Sequence, residues 1–384
     1  MGKLFSKKNK GQTKKRKVIK ISVVIVIFIM LIIIATLYEQ NDEIRKFFDK
    51  YVFMKNVYEN GLPSIENSAR EAFAYEDSLL IFKDNQLISY NKYGKEEYSL
   101  NLELINPIFE TCGDYICAAE KGGGRVYVIF RKNVLWQDNL KGEIAGISIS
   151  KDGYVSVILF GTTDKSVVRV FNQKGEELFS KHIAEDYVID TTISDDSRYL
   201  AIAKVNYSGI DVKSIIETIE IEEAQKGKTV INEYKSELGD LIISIKYDSK
   251  NSLICMYDKY ISIIKDNKIT KKVDFTEEEV LFADINNKII KVVRVNEEMF
   301  NSKIELQILD SETNKKVIYE IEEPKAIIVS DNIVAVNFGS EALFINNNGW
   351  LIKEYKSSQE INKIVVSNDI AGIVYKNKIE FISL

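Results

Sequence analysis

The sequence predicts an all-β fold, a β-propeller of seven or eight four-stranded blades with eight preferred, and three observations lead to this prediction. Short runs of Ile, Val, Leu, Tyr and Phe, bounded by Asn, Asp, Gly and Ser, recur over residues 73–384. Apolar and polar residues alternate strictly from Ile304 to Ile308, which is typical of a strand with one buried face. Two turn signatures also repeat at intervals that match a propeller blade. We therefore assign residues 73–384 to one domain of strands.

The first turn signature is Asn-x-x-Gly, which stands between two apolar runs at residues 91–94, 172–175 and 346–349. It favours a hairpin because the Asn side chain bonds its own turn and the Gly adopts a positive φ without strain. The copies are 81 and 174 residues apart. These spacings correspond to two and four units of about 41 and 44 residues, within the range of a four-stranded blade.

The second signature is a serine-led turn before an apolar strand, and it interleaves with the first. Its copies begin at Ser150, Ser194, Ser330 and Ser367. Together the two signatures divide the domain into eight units, which start near residues 73, 104, 143, 186, 239, 278, 325 and 360. The last unit holds only three strands. We therefore expect Ala72–Glu76, from the N-terminal end of the domain, to supply its fourth strand and close the ring.

The N-terminal region predicts a membrane anchor. All nine charges in residues 1–20 are positive, and the eighteen residues from Ile21 to Tyr38 carry none. As a helix this stretch is about 27 Å long, close to the roughly 30 Å of a hydrocarbon core. Because Lys and Arg concentrate on the cytoplasmic side, residues 1–20 should be a cytoplasmic tail at the plasma membrane, with the chain after Glu39 outside. The rival interpretation is a cleaved signal peptide, but the bulky Leu37 does not fit an A-x-A-like cleavage site.

Residues 39–72 are expected to join the membrane anchor to the domain. Apolar and aromatic residues recur at helical spacing from Ile44 to Val57, which predicts a short juxtamembrane helix, either a stalk or a helix packed on the domain. Gly61 and Pro63 then break this pattern. The chain is thus predicted to contain a tail, a transmembrane helix, a juxtamembrane segment and a propeller.

One hairpin and this layout carry a family resemblance. The segment ISDDSRYLAIA, from Ile193 to Ala203, resembles the inner hairpin of WD40-like and TolB-like propellers. The order of basic tail, anchor, stalk and degenerate propeller resembles the uncharacterised single-pass membrane-anchored propeller proteins of clostridia and related Gram-positive bacteria. Blade ends lack the Trp-Asp dipeptide of WD40 repeats. The resemblance implies a propeller displayed outside the membrane, and it implies no functional residue.

The charge distribution argues against a nucleic-acid partner. The chain has 52 basic and 57 acidic residues, and nine of the basic residues lie in the tail. The remainder carries 43 basic and 57 acidic residues, a formal charge of −14. Phosphate binding needs clustered Lys and Arg on the folded domain.

Candidate chemical sites are few, and no catalytic, cofactor-binding or metal-binding residue is assigned. His182 is the only histidine, which excludes multi-histidine metal centres and leaves it as an ordinary strand-end residue. The run Gly122–Gly124 joins two strands with no following helix, so it is predicted to be a hairpin loop and not a phosphate cradle. Asp195, Asp196 and Asp248 lack the spacing of a calcium loop and are predicted turn residues.

The three cysteines do not form a disulfide framework. Cys117 and Cys255 lie in apolar strand runs, and Cys112 and Cys117 flank a short turn. Buried, inert thiols are predicted, with a bridge between Cys112 and Cys117 as the alternative.

The preferred function is a non-catalytic binding or scaffold module at the cell envelope, with a protein or cell-wall partner on one propeller face. The lipid bilayer is the second predicted partner, contacted through Ile21 to Tyr38. Trp136 and Trp350 lie near blade ends and are the predicted partner contacts, with packing between blades as the alternative role. The rival function is an envelope carbohydrate hydrolase or lyase that uses carboxylates in the central cleft.

Overall fold

The computed structural model describes most of the chain, in two compact units that comprise residues 1–57 and 58–384. The described residues are 23–38, 44, 48, 52, 55–58, 61–161, 163–209, 212–228, 232–275, 277–298, 301–311, 313, 315–330 and 332–384.

The described part of the first unit is mainly one helix, α1, over residues 23–38, whose apolar side chains are largely exposed. Among the described residues, no helix combines the length and apolarity needed to cross a membrane. Ile21 and Ser22 of the predicted span lie outside the described residues. The predicted juxtamembrane helix is wrong at Asn56–Tyr58, which is strand β1, and most of its remaining residues are not described.

The second unit consists of eight antiparallel sheets, each built from four strands. Strand β2 is Ser64–Glu66. Blade 1 contains β3–β6: Glu71–Tyr75, Ser78–Lys83, Gln86–Asn91 and Glu96–Asn101. Blade 2 contains β7–β10: Pro107–Cys112, Tyr115–Glu120, Arg125–Phe130 and Asn133–Asn139. Blade 3 contains β11–β14: Glu143–Ile149, Val155–Phe160, Ser166–Phe171 and Glu177–Ile183. Blade 4 contains β15–β18: Tyr187–Ile193, Tyr199–Asn206, Lys213–Glu220 and Asn232–Lys235.

The remaining blades follow the same order. Helix α2, Ile221–Gln225, precedes the last strand of blade 4. Blade 5 contains β19–β22: Ile242–Tyr247, Leu253–Tyr257, Tyr260–Lys265 and Lys268–Asp274. Blade 6 contains β23–β26: Glu279–Ile285, Lys288–Glu298, Asn301–Asp310 and Lys316–Ile321. Blade 7 contains β27–β30: Ala326–Val329, Ile333–Asn337, Glu341–Asn346 and Leu351–Lys356. Blade 8 contains β31–β33: Lys363–Val366, Ile370–Val374 and Lys378–Ser383, together with β2. The eight-bladed prediction is confirmed.

The Asn-x-x-Gly signature forms the turn between the third and fourth strands of three blades. In each copy the Asn side-chain oxygen accepts hydrogen bonds from the backbone N–H groups two and four residues later. Each Gly has a positive φ, 71° at Gly94, 81° at Gly175 and 79° at Gly349. The turn therefore needs both residues, as predicted.

The serine-led signature forms the turn between the first and second strands. Ser194 Oγ donates to Asp196 Oδ1 at 2.7 Å and accepts from the Tyr199 N–H at 2.9 Å. Asp248 Oδ1 plays the same part in blade 5, where it accepts from the N–H groups of Lys250 and Ser252. The predicted turn roles of Asp196 and Asp248 are confirmed.

Strand β2 closes the ring, and the predicted closing strand is wrong. Ile65 lies opposite Ile379 in an antiparallel pairing of β2 with β33, the last strand of the chain. The predicted segment, Ala72–Glu76, instead contributes to β3, the first strand of blade 1. It takes that position because Ala72 and Tyr75 are buried against neighbouring blades.

Apolar side chains fill the space between neighbouring blades, and one ionic network is buried among them. Between blades 3 and 4, Lys204 Nζ lies 2.9 Å from Asp186 and 2.8 Å from Glu217, which also pairs with Lys181 at 2.8 Å. These cations hold the pKa of Glu217 below its usual range against the opposing effect of burial. Because every charge in the network has a partner, removing one would leave another buried and unpaired.

Replacing Ile65 with Asp in the full chain should weaken ring closure. Ile65 packs against the core between blades 8 and 1, so a carboxylate there loses apolar burial and disturbs the β2 pairing. We expect the free energy of unfolding to fall by about 2–4 kcal/mol, measured by denaturant titration. The control is Ile318→Asp, because Ile318 is exposed on an outer strand, and it should cost less than about 1 kcal/mol. Equal losses would contradict closure by β2.

Candidate functional site

The first strands of blades 2 to 6 line a central channel that contains a cavity of about 290 Å³. They line it because the first strand is the innermost one in each of these blades. The cavity extends to the turns that follow these strands, where Gly113, Lys151, Asp195 and Asn287 lie. We call this end the channel mouth.

Four charged side chains from four different blades line this cavity. They are Glu110 on β7, Asp190 on β15, Lys246 on β19 and Asp284 on β23. We call them the channel cluster. Lys246 acts electrostatically on all three carboxyl groups, which places the four groups around one space.

Backbone donors fix two of the three carboxylates. Asp190 accepts hydrogen bonds from the N–H groups of Ile245 at 2.9 Å and Thr191 at 2.8 Å, so it also ties β15 to β19. Asp284 accepts from the N–H of Ile285 at 2.7 Å. No hydrogen bond or ion pair from the described residues reaches the carboxylate of Glu110.

The channel raises the pKa values of these carboxyl groups. Burial raises the pKa of Glu110 to about 7, with Lys246 opposing and Asp190 adding to the shift. Solvent in the channel still reaches Glu110, but the surrounding strands enclose it. Burial likewise raises the pKa of Asp190 to about 6, against its two backbone donors and Lys246, and it raises the pKa of Asp284. The cluster therefore changes its charge near neutral pH.

A repeated β-bulge shapes the inner strands. In β11, β15, β19 and β23 the pairing with the second strand skips one residue near the start of the inner strand. The skipped residues are Ala145, Ile189, Ile243 and Leu281. A bulge re-aims the residues that follow it, and Asp190 follows its bulge directly. The same irregularity thus recurs in four consecutive blades around the channel.

The opposite end of the inner strands carries an exposed apolar surface on blades 4 and 5. We call it the apolar patch, and its six side chains are 37–61% exposed: Tyr187, Ile189, Tyr207, Leu238, Leu241 and Ile243. Beside it, a groove of about 420 Å³ is lined by Ile215, Lys213 and Leu238, among others. The patch lies at the starts of inner strands, whereas the channel mouth lies at their ends.

The patch is continuous across the two blades. The rings of Tyr187 and Tyr207 lie 6.2 Å apart, centroid to centroid. Leu238 shares the groove with Asn206 and Ser208, on either side of Tyr207. Six apolar side chains that meet on one face differ from the singly scattered exposed residues that most surfaces carry.

The structure separates the two predicted tryptophan contacts. Trp136, on β10, is partly buried against Phe171, with ring centroids 5.6 Å apart, and it packs over Gly175. Trp350 is 43% exposed at the third turn of blade 7. A partner contact at either residue stays a prediction. Neither belongs to the apolar patch or to the channel cluster.

The other sequence candidates have local structural roles. His182 lies on an outer strand, where Nδ1 is 2.7 Å from Asp164 Oδ2. Gly122–Gly124 joins β8 to β9, as predicted, and its backbone exchanges two 2.8 Å hydrogen bonds with Ile144. Asp195 forms an ion pair with Lys151. Within the described ranges, no group of His, Cys, Asp and Glu has the arrangement of a metal site.

The cysteines agree with the preferred prediction at two positions. Cys117 and Cys255 are fully buried, and burial raises the pKa of both thiols. The strand register places Cys112 opposite Tyr115 and Cys117 opposite Glu110. The two cysteines therefore do not face each other across the hairpin, and the alternative of a bridge between them finds no support.

Comparison with known proteins identifies a family and a fold. A family model described as a family of unknown function (DUF5711) matches residues 49–384. Among solved structures, BamB from Moraxella catarrhalis aligns with a TM-score of 0.51 and 10% identity, over 84% of this chain and 98% of that one. The Swd1 β-propeller domain of Myceliophteria thermophila aligns with a TM-score of 0.46 and 10% identity, over 84% and 99%. None of the curated proteins matches the chain.

Replacing Glu110 with Gln should change how stability depends on pH. The native state raises the pKa of Glu110, so it favours the protonated form, and ionisation costs stability as pH rises from about 4.5 to about 7. Gln stays neutral, so the variant should melt higher than the native chain at pH 8 and at a similar temperature near pH 4.5. Melting curves across this range are the measurement. Glu96→Gln, on an outer strand, is the control and should follow the native curve. A pH-independent difference between Glu110→Gln and the native chain would contradict the assignment.

Proposed function

The chain belongs to the DUF5711 family of unknown function, and we propose that it is a non-catalytic binding module that docks a protein partner through the apolar patch. The patch itself carries this proposal. Exposed apolar side chains that adjoin one another on a rigid scaffold are a common mark of protein interaction surfaces. A propeller supplies such a scaffold, but a fold alone does not define an activity.

The charges around the patch indicate what kind of partner fits. Lys165 Nζ lies 5.1 Å from the ring centre of Tyr187, and Lys213 lines the adjoining groove. On the other side, Asp240 is neutralised by Lys259 at 2.9 Å. The apolar surface is therefore bordered by lysines at one edge. We propose an occupant with aliphatic or aromatic side chains interleaved with acidic ones, because complementary charge favours association.

A pair of labelled peptides tests this proposal. One peptide interleaves Leu and Phe with Glu, and the other replaces each Glu with Lys. We expect the acidic peptide to bind the full chain at least tenfold more tightly in fluorescence anisotropy. The triple variant Ile189→Ser, Leu241→Ser, Ile243→Ser should lose this binding, since it removes exposed apolar contacts at the patch.

A second variant with Tyr93→Ser and Ile269→Ser is the matched control. Both side chains are exposed and apolar but lie outside the patch, so the control should bind like the native chain. Equal binding of the two peptides, or equal binding by the triple variant, would contradict docking at the patch. In that case, release of soluble sugar from wall polymers by the full chain would favour the second candidate.

That second candidate is an envelope carbohydrate hydrolase or lyase. The observation in its favour is the meeting of three carboxyl groups with raised pKa values in the central channel. Among the described side chains that line this cavity, Tyr247 is the one aromatic, which provides little surface for stacking on a sugar ring. We therefore prefer the binding module.

We further propose that the chain is anchored in the plasma membrane through Ile21 to Tyr38, with residues 1–20 in the cytoplasm and the propeller outside. The support is the charge-free stretch, its basic flank and the exposed apolar side chains of α1.

Alkaline extraction of membranes tests the anchor. The full chain should stay in the pellet, and a chain that begins at Tyr58 should be released. In intact spheroplasts, an external protease should remove the propeller but spare a tag on the N-terminus. A full chain that is extracted, or a tag that is cleaved, would contradict the proposed topology.

A further inference from the structure

The channel cluster contains charged groups whose neighbours in the protein do not satisfy them. Among the described residues, no ion-pair partner lies within 4.0 Å of Glu110 or Lys246, although both groups line the same cavity. Glu110 also has no hydrogen-bond donor, whereas Asp190 has two. In a packed protein, enclosed charges normally have partners, because an unpaired charge costs free energy.

The sign of the imbalance selects the missing partner. Three carboxyl groups face a single ammonium group, so the cluster is acidic when it is fully ionised. Each carboxyl group comes from a different inner strand, which holds it at a fixed place around the space. A donor cation inside the cavity would contact groups that are already in position, so binding would need little reordering of the protein.

We propose that the channel binds an organic cation, a primary ammonium or guanidinium group, with Glu110 as its main contact and Asp190 and Asp284 around it. Such a group supplies several N–H donors, which can reach the free oxygens of the carboxylates. A cavity of about 290 Å³ accommodates a linear amine or an arginine side chain, but not a folded domain. The ligand enters at the channel mouth, where Asn287 and Gly113 lie.

Lys246 sets the affinity in this arrangement. It competes with the ligand for the same carboxylates, since it acts electrostatically on all three. It also keeps the empty channel from carrying three uncompensated charges. Removing Lys246 should therefore strengthen cation binding, an effect opposite to that expected from a loss of structure.

Titration calorimetry of the full chain in mild detergent at pH 8 tests the proposal with agmatine and spermidine. The neutral comparison is 1,4-butanediol, which has a similar length and no charge. We expect both amines to bind and the diol to give no heat. Glu110→Gln should weaken the binding of agmatine at least tenfold, and Lys246→Met should tighten it several-fold. Glu96→Gln, outside the channel, should leave it unchanged.

Peptides distinguish the two sources of the same cationic group. If a short peptide with a central Arg binds at least tenfold more tightly than agmatine, the ligand is a side chain of a partner protein. If agmatine or spermidine binds as tightly, the ligand is a free amine. The proposal is overturned if neither amine nor peptide binds, if the diol binds equally, or if Glu110→Gln leaves the affinity unchanged. Because the apolar patch lies at the other end of the inner strands, the triple patch variant should bind agmatine normally.

Discussion

The pairing of β2 with β33 is the constraint on which the rest of the second unit depends. It joins Ser64–Glu66 to the last strand of the chain and so completes blade 8. Nearby, the buried Glu380 accepts a hydrogen bond of 2.6 Å from the hydroxyl of Tyr355 on blade 7 and one of 2.6 Å from Lys378. The last blade is thus held to the N-terminal strand on one side and to its neighbour on the other. Only a closed ring places the inner strands around a single channel.

Within that ring, the inner strands determine both functional surfaces. Their starts present the apolar patch, and their middle residues present the channel cluster. The repeated bulge affects both surfaces, because Ile189 and Ile243 are bulged residues of the patch while Asp190 directly follows one of these bulges. One backbone irregularity therefore contributes to an apolar surface on one face and a charged cavity inside the ring.

The sequence predicted the blades well because their turns have local chemistry. Asn91 and Ser194 bond backbone atoms within a few residues, so their signatures are visible in the chain without its fold. The closing strand was assigned wrongly because β2 is only three residues long and pairs with a strand more than 300 residues away. Its position depends on a long-range contact, which local pattern does not carry.

The channel cluster could not be predicted for the same reason. Glu110, Asp190, Lys246 and Asp284 are far apart in the chain, and each stands alone in an otherwise ordinary strand. The only local signal is a charged residue within the first strand of a repeat unit, where an apolar or small residue is more usual. The patch was missed because Ile189 and Ile243 read as core residues of a regular strand, and only a bulge accounts for their exposure.

Closure by the last strand also has a consequence for how the chain matures. As the polypeptide leaves the ribosome, Ser64–Glu66 appears early, and its partner, Lys378–Ser383, is the last strand made. Blades 1 to 7 can form in order, since their strands pair with sequence neighbours, but the ring stays open until synthesis ends. During that interval β2 lacks its final partner and blade 1 lacks the neighbour that covers Leu79 and Ile81. Protection of this seam during synthesis or export is therefore a requirement that the architecture places on the cell.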